Sequence, residues 1–213
     1  MTVVAIAAGV IVEQVRMLPS GEIALELCSG STVRLDWEAW SALDLPKAVA
    51  LDAEQAEALA LAEGKFRVRR KALDLLANRE HSSWELRQKL RQRFQDAEAI
   101  GECLTLLEER GYLSDERFAR CFLESRIANQ DHGPYRLLAE LQQRGIAREL
   151  AESLLREYDS PHLWLEKAER AKERILRRGK TVNPQSLWSK LHQQGFSRET
   201  ISTALRDLPQ PEP

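Results

Sequence analysis

The chain has 213 residues, 43% hydrophobic and 30% charged, with a formal net charge of −2. That is enough apolar side chain for a packed core in one or two domains, and the near-neutral total excludes a polycation. The three cysteines, Cys28, Cys103 and Cys121, are odd in number and show no C-x-x-C spacing, which argues for reduced thiols in the cytoplasm rather than a disulfide framework.

The opening stretch TVVAIAAGVIV is apolar, but it has no basic n-region and Glu13 and Arg16 soon interrupt it. Neither a signal peptide nor a membrane span is expected from it. Residues 3–36 read as β. EIALELC alternates Ile23, Leu25 and Leu27 with other positions, TVRLD alternates again, and PSG and SGS mark the turns. A three-stranded meander of this size buries little alone, so it is expected to pack on WEAWSALDL or on the helices beyond. Asp52, with Gln55 three residues later, reads as a capping box opening a helix, and Gly64 as its end.

From residue 65 the chain reads as nine helices in three sets of three, near 66–79, 83–94 and 97–110, then 115–129, 134–144 and 147–158, then 161–178, 184–194 and 198–207. Ser82 with Glu85, Ser114 and Ser197 are capping residues, and Pro134, Pro161 and Pro184 fall at first helical positions. Gly111, Gly145 and Gly195 fall where a left-handed C-terminal cap is wanted, and alanine at Gly145 or Gly195 is expected to cost about 1 kcal/mol. The sets repeat. HGPYRLLAELQQRGI and VNPQSLWSKLHQQGF align Pro134 with Pro184, Leu137 with Leu187, Leu141 with Leu191 and Gly145 with Gly195. SSWELRQKLRQRF is a weaker copy carrying Leu86 and Leu90. Ile100, Ala151 and Ile201 continue the register, as do Leu104, Leu155 and Leu205. A period near fifty is the mark of a repeat array in which each unit stacks on the next. The fold class expected is therefore mainly α, a tandem array of three three-helix repeats with a small N-terminal β-containing extension. Its parts are the extension over 1–64, repeats over 65–112, 113–159 and 160–213, and a short Pro-rich tail.

Nothing in the sequence points to catalysis. His81, His132, His162 and His192 are far apart, no phosphate loop or nucleophile elbow occurs, and Glu108-Glu109 reads as a solvated helix face. No cofactor and no metal is expected. Charge is more informative, because it is segregated. Residues 1–64 hold 3 basic and 10 acidic side chains, residues 65–95 hold 10 and 3, and residues 164–182 hold 7 and 3. The block at 65–95 has few acids to neutralise it and reads as a surface for phosphates or an acidic protein. The block at 164–182 is partly self-compensated, and Arg136 and Arg144 stand as isolated cations. Trp84, Tyr135 and Trp188 are expected in the core rather than as stacking platforms.

Three motifs carry a resemblance. Arg79, His81, Ser82, Glu85, Leu86, Lys89 and Leu90 form the first. Gly111, Tyr112, Leu113, Asp115, Arg117, Phe118 and Ala119 form the second. Gly133, Pro134, Leu137, Glu140, Leu141, Arg144 and Gly145 form the third. In this order they resemble the RecX family of bacterial recombination regulators over residues 66–158, with the third repeat similar to that family's divergent last repeat. His132 departs from the usual aromatic before Gly-Pro, Leu138 from a frequent arginine, and Phe94 from a common glycine. The repeat register suggests a monomer, and the resemblance implies a curved helical body that binds the RecA filament on DNA and inhibits its ATPase and strand-exchange activities. With the basic block it points to Arg69, Arg70, Arg79, Arg87, Lys89, Arg91, Arg93, Arg126, Arg136 and Arg144 as partner- or nucleic-acid-binding residues, touching RecA and single- or double-stranded DNA, and to no membrane. From the residues alone, a helix-turn-helix DNA-binding regulator and a helical-repeat protein adaptor stay open.

Overall fold

The computed structural model describes residues 6–45, 48–178 and 183–206. The start of the expected first strand, the end of the last helix at 207 and the Pro-rich tail lie outside them. Three strands, β1 (Val12–Met17), β2 (Glu22–Leu27) and β3 (Thr32–Asp36), precede ten helices. These are α1 (Trp37–Leu43), α2 (Ala53–Leu76), α3 (Ser83–Arg91), α4 (Ala97–Glu109), α5 (Asp115–Asn129), α6 (Pro134–Gln142), α7 (Arg148–Glu157), α8 (Pro161–Arg178), α9 (Pro184–Gln193) and α10 (Arg198–Ala204). Contacts divide the chain into two units. One runs to Asn78 and resumes over Arg87–Arg110; the other comprises Arg79–Leu86 and the chain from Gly111 onward.

In the first unit the strands form an antiparallel meander in the order β1-β2-β3. Leu25 pairs with Val15 on one side and Val33 on the other. β2 is central, so Ile23, Ala24, Leu25 and Leu27 are all buried. The sheet closes its core with α1 and the first half of α2, through Leu45, Leu51, Ala56 and Leu59, with Ala62 at its margin. The Asp52 capping box forms as the sequence predicts, the Asp52 carboxylate accepting from Gln55 N at 2.8 Å. The helix end expected at Gly64 does not exist. α2 runs through it for 24 residues. Glycine inside a helix costs about 1 kcal/mol relative to alanine, which the burial of Leu59, Phe66, Val68 and Ala72 outweighs. The second half of α2 packs on α4. Because, among the described residues, the sheet core runs no further along the chain than Ala62, a chain starting at Gly64 is expected to keep its helices. Circular dichroism and a cooperative melt would check this, and a molten product would show the extension to be part of the main core.

Cys103, on α4, is buried, and burial pushes its thiol up to about 11. Cys28 and Cys121 are exposed. Alkylation at pH 8 should therefore label Cys28 and Cys121 while leaving Cys103 untouched until the chain is unfolded, as read by peptide mass spectrometry.

The second unit shows why the chain repeats. Leu137 and Leu141 of α6 pack with Phe118, Leu123, Ile146, Ala151, Leu154 and Trp164. Leu187 and Leu191 of α9 pack with Ala168, Ala171, Phe196, Ile201 and Ala204. Leu90, Leu141 and Leu191 are all 0% exposed. Two residues four apart share one face of a helix, so α6 and α9 each offer the same pair to their sets. Ser114, Asn183 and Ser197 accept the first backbone N–H groups of α5, α9 and α10.

A second repeated feature is a joint. The start of one middle helix sits on the last turn of the next. The Ser82 hydroxyl donates to Arg144 O at 2.6 Å, and at the matching place Gly133 N donates to Gln194 O at 2.8 Å, with Tyr135 N donating to Gly195 O at 3.1 Å. Gly145 and Gly195 have φ of +80° and +86°, the left-handed caps the sequence predicts. They are also pressed by the neighbouring helix start. A Cβ on Gly145 would lie 2.3 Å from Trp84 Cβ, and one on Gly195 would lie 2.2 Å from Arg136 N. Trp84 and Tyr135, expected in the core, are 47% and 62% exposed. Each follows a cap at the start of a middle helix, where a side chain leaves the buried stripe. Trp188 is half-buried and stacks on His192, with ring centroids 5.0 Å apart.

Candidate partner and nucleic-acid interface

The ten basic residues singled out from the sequence fall into both units. In the first, Arg69 pairs with Asp36 of β3, and Arg70 pairs with Glu22 of β2 and, at 3.7 Å, with Asp74. Lys65 reaches Glu102 at 2.7 Å. The basic block is therefore partly neutralised by acids distant in sequence. Arg87, Lys89, Arg91 and Arg93, on or just after α3, make no ion pair among the described residues.

In the second unit the structure brings Arg79, Arg126, Arg136 and Arg144 together. Two carboxylates organise them. Glu85, in the first turn of α3, meets Arg79 Nη2 at 3.0 Å, His81 Nδ1 at 3.2 Å and Arg144 Nε at 3.5 Å. Glu140, on α6, meets Arg136 Nε at 3.1 Å, Arg126 Nε at 3.2 Å and His132 Nδ1 at 3.4 Å. Arg136 and Arg144 are thus not isolated. The Phe122 ring touches an arginine of each cluster, with the guanidinium carbons of Arg126 and Arg144 at 5.0 and 4.7 Å from its centroid. Cation–π contacts of this kind hold an arginine plane in place.

Neither partner of the Glu140 cluster is fully satisfied. Arg126 Nε approaches Glu140 Oε2 off the hydrogen-bond direction, so that oxygen and His132 Nδ1 are buried without a hydrogen bond. Burial, then the positive charge of Arg136, depresses the His132 pKa and keeps its ring neutral at pH 7. A groove of about 1040 Å³ is lined by Arg126, His132, Tyr135, Arg136, Arg144 and Arg174, among others. A recess of about 270 Å³ lined by Arg79, Glu85, Phe122 and Ser125 shares Arg126 and Arg144 with it. Five arginines face Glu85, Glu140 and Asp131, which leaves a surplus of two positive charges. Such a surplus, carried on oriented guanidinium forks, recognises phosphate or carboxylate. Among the described residues no group of His, Cys, Asp or Glu could hold a metal ion, and no helix is long and apolar enough to cross a membrane.

Arg174 was not singled out from the sequence, because its helix reads as self-compensated. Part of it is: Arg170 pairs with Glu166 and Arg177 with Glu173. The rest is structural. Lys167 is buried and donates to Ile127 O and Gln130 O, closing the end of α5, and Lys172 donates to Ala204 O at 2.7 Å, closing the end of α10. Arg174 pairs with Asp131 at 2.7 Å and so reaches the groove. The signal for Phe122 was present as the i, i+4 spacing from Phe122 to Arg126.

Comparison with known proteins matches residues 69–112 to the first three-helix domain of RecX and residues 114–155 to the second. The Regulatory protein RecX of Pseudomonas entomophila (strain L48) is 39% identical over 146 residues, covering 66% of this chain and 92% of that protein. A crystal structure of regulatory protein RecX superposes with a TM-score of 0.77 at 19% identity, covering 93% of this chain and 99% of the other. RecX from Lactobacillus salivarius gives 0.60 at 24% identity, covering 69% and 97%. These two share the fold. The order of helix sets, the glycine joints and the identity to a relative covered over nearly its whole length lead to one conclusion: the chain belongs to the RecX family of regulatory proteins.

Proposed function

We propose that the chain is a non-enzymatic, cytoplasmic regulator of the RecA recombinase, binding RecA–DNA filaments and limiting ATP hydrolysis and strand exchange. The observation that carries this reading is the arginine array of the second unit. Arg79, Arg126, Arg136 and Arg144 are held by two shared carboxylates with positive charge in surplus, and Arg87, Lys89, Arg91 and Arg93 of the first unit add cations that have no ion pair among the described residues. Arg69 and Arg70 contribute less, because each already faces an acid. The helix-turn-helix reading is weaker. It needs free helix starts to read base edges, and the starts of α3 and α6 are spent on the joints.

The test is RecA-driven ATP hydrolysis on single-stranded DNA, titrated with the full chain, beside a pulldown with RecA–ATP–DNA filaments. Hydrolysis should slow in proportion to bound chain, and binding should weaken steeply as salt rises, because phosphate contacts release counterions. If the chain neither binds the filament nor slows its own RecA, the regulator has another target.

A further inference from the structure

We propose that a cavity in the first unit, enclosed by β3, α2 and Phe94, binds a base of single-stranded nucleic acid, stacked at Phe94 with its flanking phosphates held by Arg34, Lys71 and Arg93. The site is built wholly from residues of the first unit and does not rest on the RecA reading.

The cavity holds about 770 Å³, within the ~300–1,000 Å³ of clefts that take small ligands. Phe66 and Phe94 give it apolar surface, and the Arg67 guanidinium lies 6.0 Å from the Phe94 ring centroid. The Arg67 side chain is only 19% exposed, so the pair is a held one. A ring beside a guanidinium plane is a stacking platform for any base. Around it stand Arg34, Arg70, Lys71 and Arg93. Arg34 reaches its acid, Glu22, only at 3.9 Å, and Lys71 and Arg93 have no ion pair among the described residues. Five cations line the cavity against two acids, Glu63 and Asp74.

Those two acids decide between nucleic acid and an acidic peptide. Glu63 is 93% buried, at 4.0 Å from Arg67. A carboxylate at that depth accepts hydrogen bonds from the N–H edge of a base, whereas it repels the carboxylates of an acidic peptide. The register of the repeats explains why the platform stands here. Position 94 aligns with Gly145 and Gly195, which the start of another middle helix covers. At position 94 the sequence places an aromatic ring where the other two sets have glycine.

The test is fluorescence anisotropy of the full chain with an oligothymidylate and with an abasic strand carrying the same number of phosphates, without RecA. The wild type should bind the base-bearing strand about tenfold more tightly, as expected for one stacked base. Phe94→Leu should abolish that preference while leaving affinity for the abasic strand unchanged, which also shows that the variant is folded. Lys71→Glu should weaken both strands. Equal binding of the two strands by the wild type, a preference that survives Phe94→Leu, or full competition by an acidic peptide of equal charge would overturn the proposal. None of these outcomes depends on inhibition of RecA.

Discussion

Alanine at Gly133 or Gly195 is expected to destabilise the chain by about 3 kcal/mol, which for Gly195 exceeds the ~1 kcal/mol expected from the sequence because backbone crowding adds to the left-handed cap. At Gly133 the added Cβ would lie 2.2 Å from Gly195 O, 2.3 Å from its carbonyl carbon and 2.5 Å from Phe196 N. All three are backbone atoms and cannot swing aside. The φ of Gly133 is −81°, so dihedral strain plays no part and the whole effect is steric. At Gly195 the same collision adds to a φ of +86°. Gly111 supplies the control, since its φ is +72° with nothing within 4 Å of an added Cβ. Gly111→Ala should cost only about 1 kcal/mol, the price of the left-handed region alone. For a chain of this size 3 kcal/mol lowers the melting temperature by ~6–12 °C. Thermal melts of the three variants should therefore rank Gly111→Ala mildest. If Gly133→Ala melts with the wild type, the joint between α6 and the end of α9 is not closed in solution.

The second large effect concerns charge on α3. Reversing Arg87 and Arg91 together to glutamate is expected to weaken binding to the RecA–DNA filament by about 3 kcal/mol, or on the order of a hundredfold. Arg87 is half-buried and Arg91 exposed, and neither has an ion pair among the described residues. Their removal breaks no internal contact of that kind, so helical content should stay as in the wild type. The readouts are inhibition of ATP hydrolysis and the slope of affinity against salt, which should flatten as phosphate contacts are lost. Equal inhibition by the folded variant would remove this part of α3 from the mechanism and leave the arginines of the second unit to carry it.

The repeat was legible because its information is local and periodic. Leu86 and Leu90, Leu137 and Leu141, and Leu187 and Leu191 mark each middle helix, and serine, asparagine or proline marks most helix starts. Gly64 misled because a glycine inside a helix and one at its end look alike in sequence; only the burial on both sides of it tells them apart. The candidate site was half legible. Its arginines could be found, but their partners could not. Asp36 lies 33 residues before Arg69, and Glu85 lies 59 residues before Arg144, so the fold alone makes them neighbours. Trp84 and Tyr135 were misplaced for a related reason: hydrophobicity said core, while their position at the joint puts one edge against a glycine turn or helix end and leaves the rest in water.

The joints also bear on how copies of the chain treat one another. A contact in which the start of one middle helix seats on the glycine turn of the next is head-to-tail, and a head-to-tail contact that never closes can in principle grow into a fibre. The open start at Asn183-Pro184 would need a glycine turn on a second copy. The matching turn of the first set carries Phe94, a ring where Gly145 and Gly195 tolerate not even a methyl group. A ring at that place opposes such a head-to-tail contact sterically.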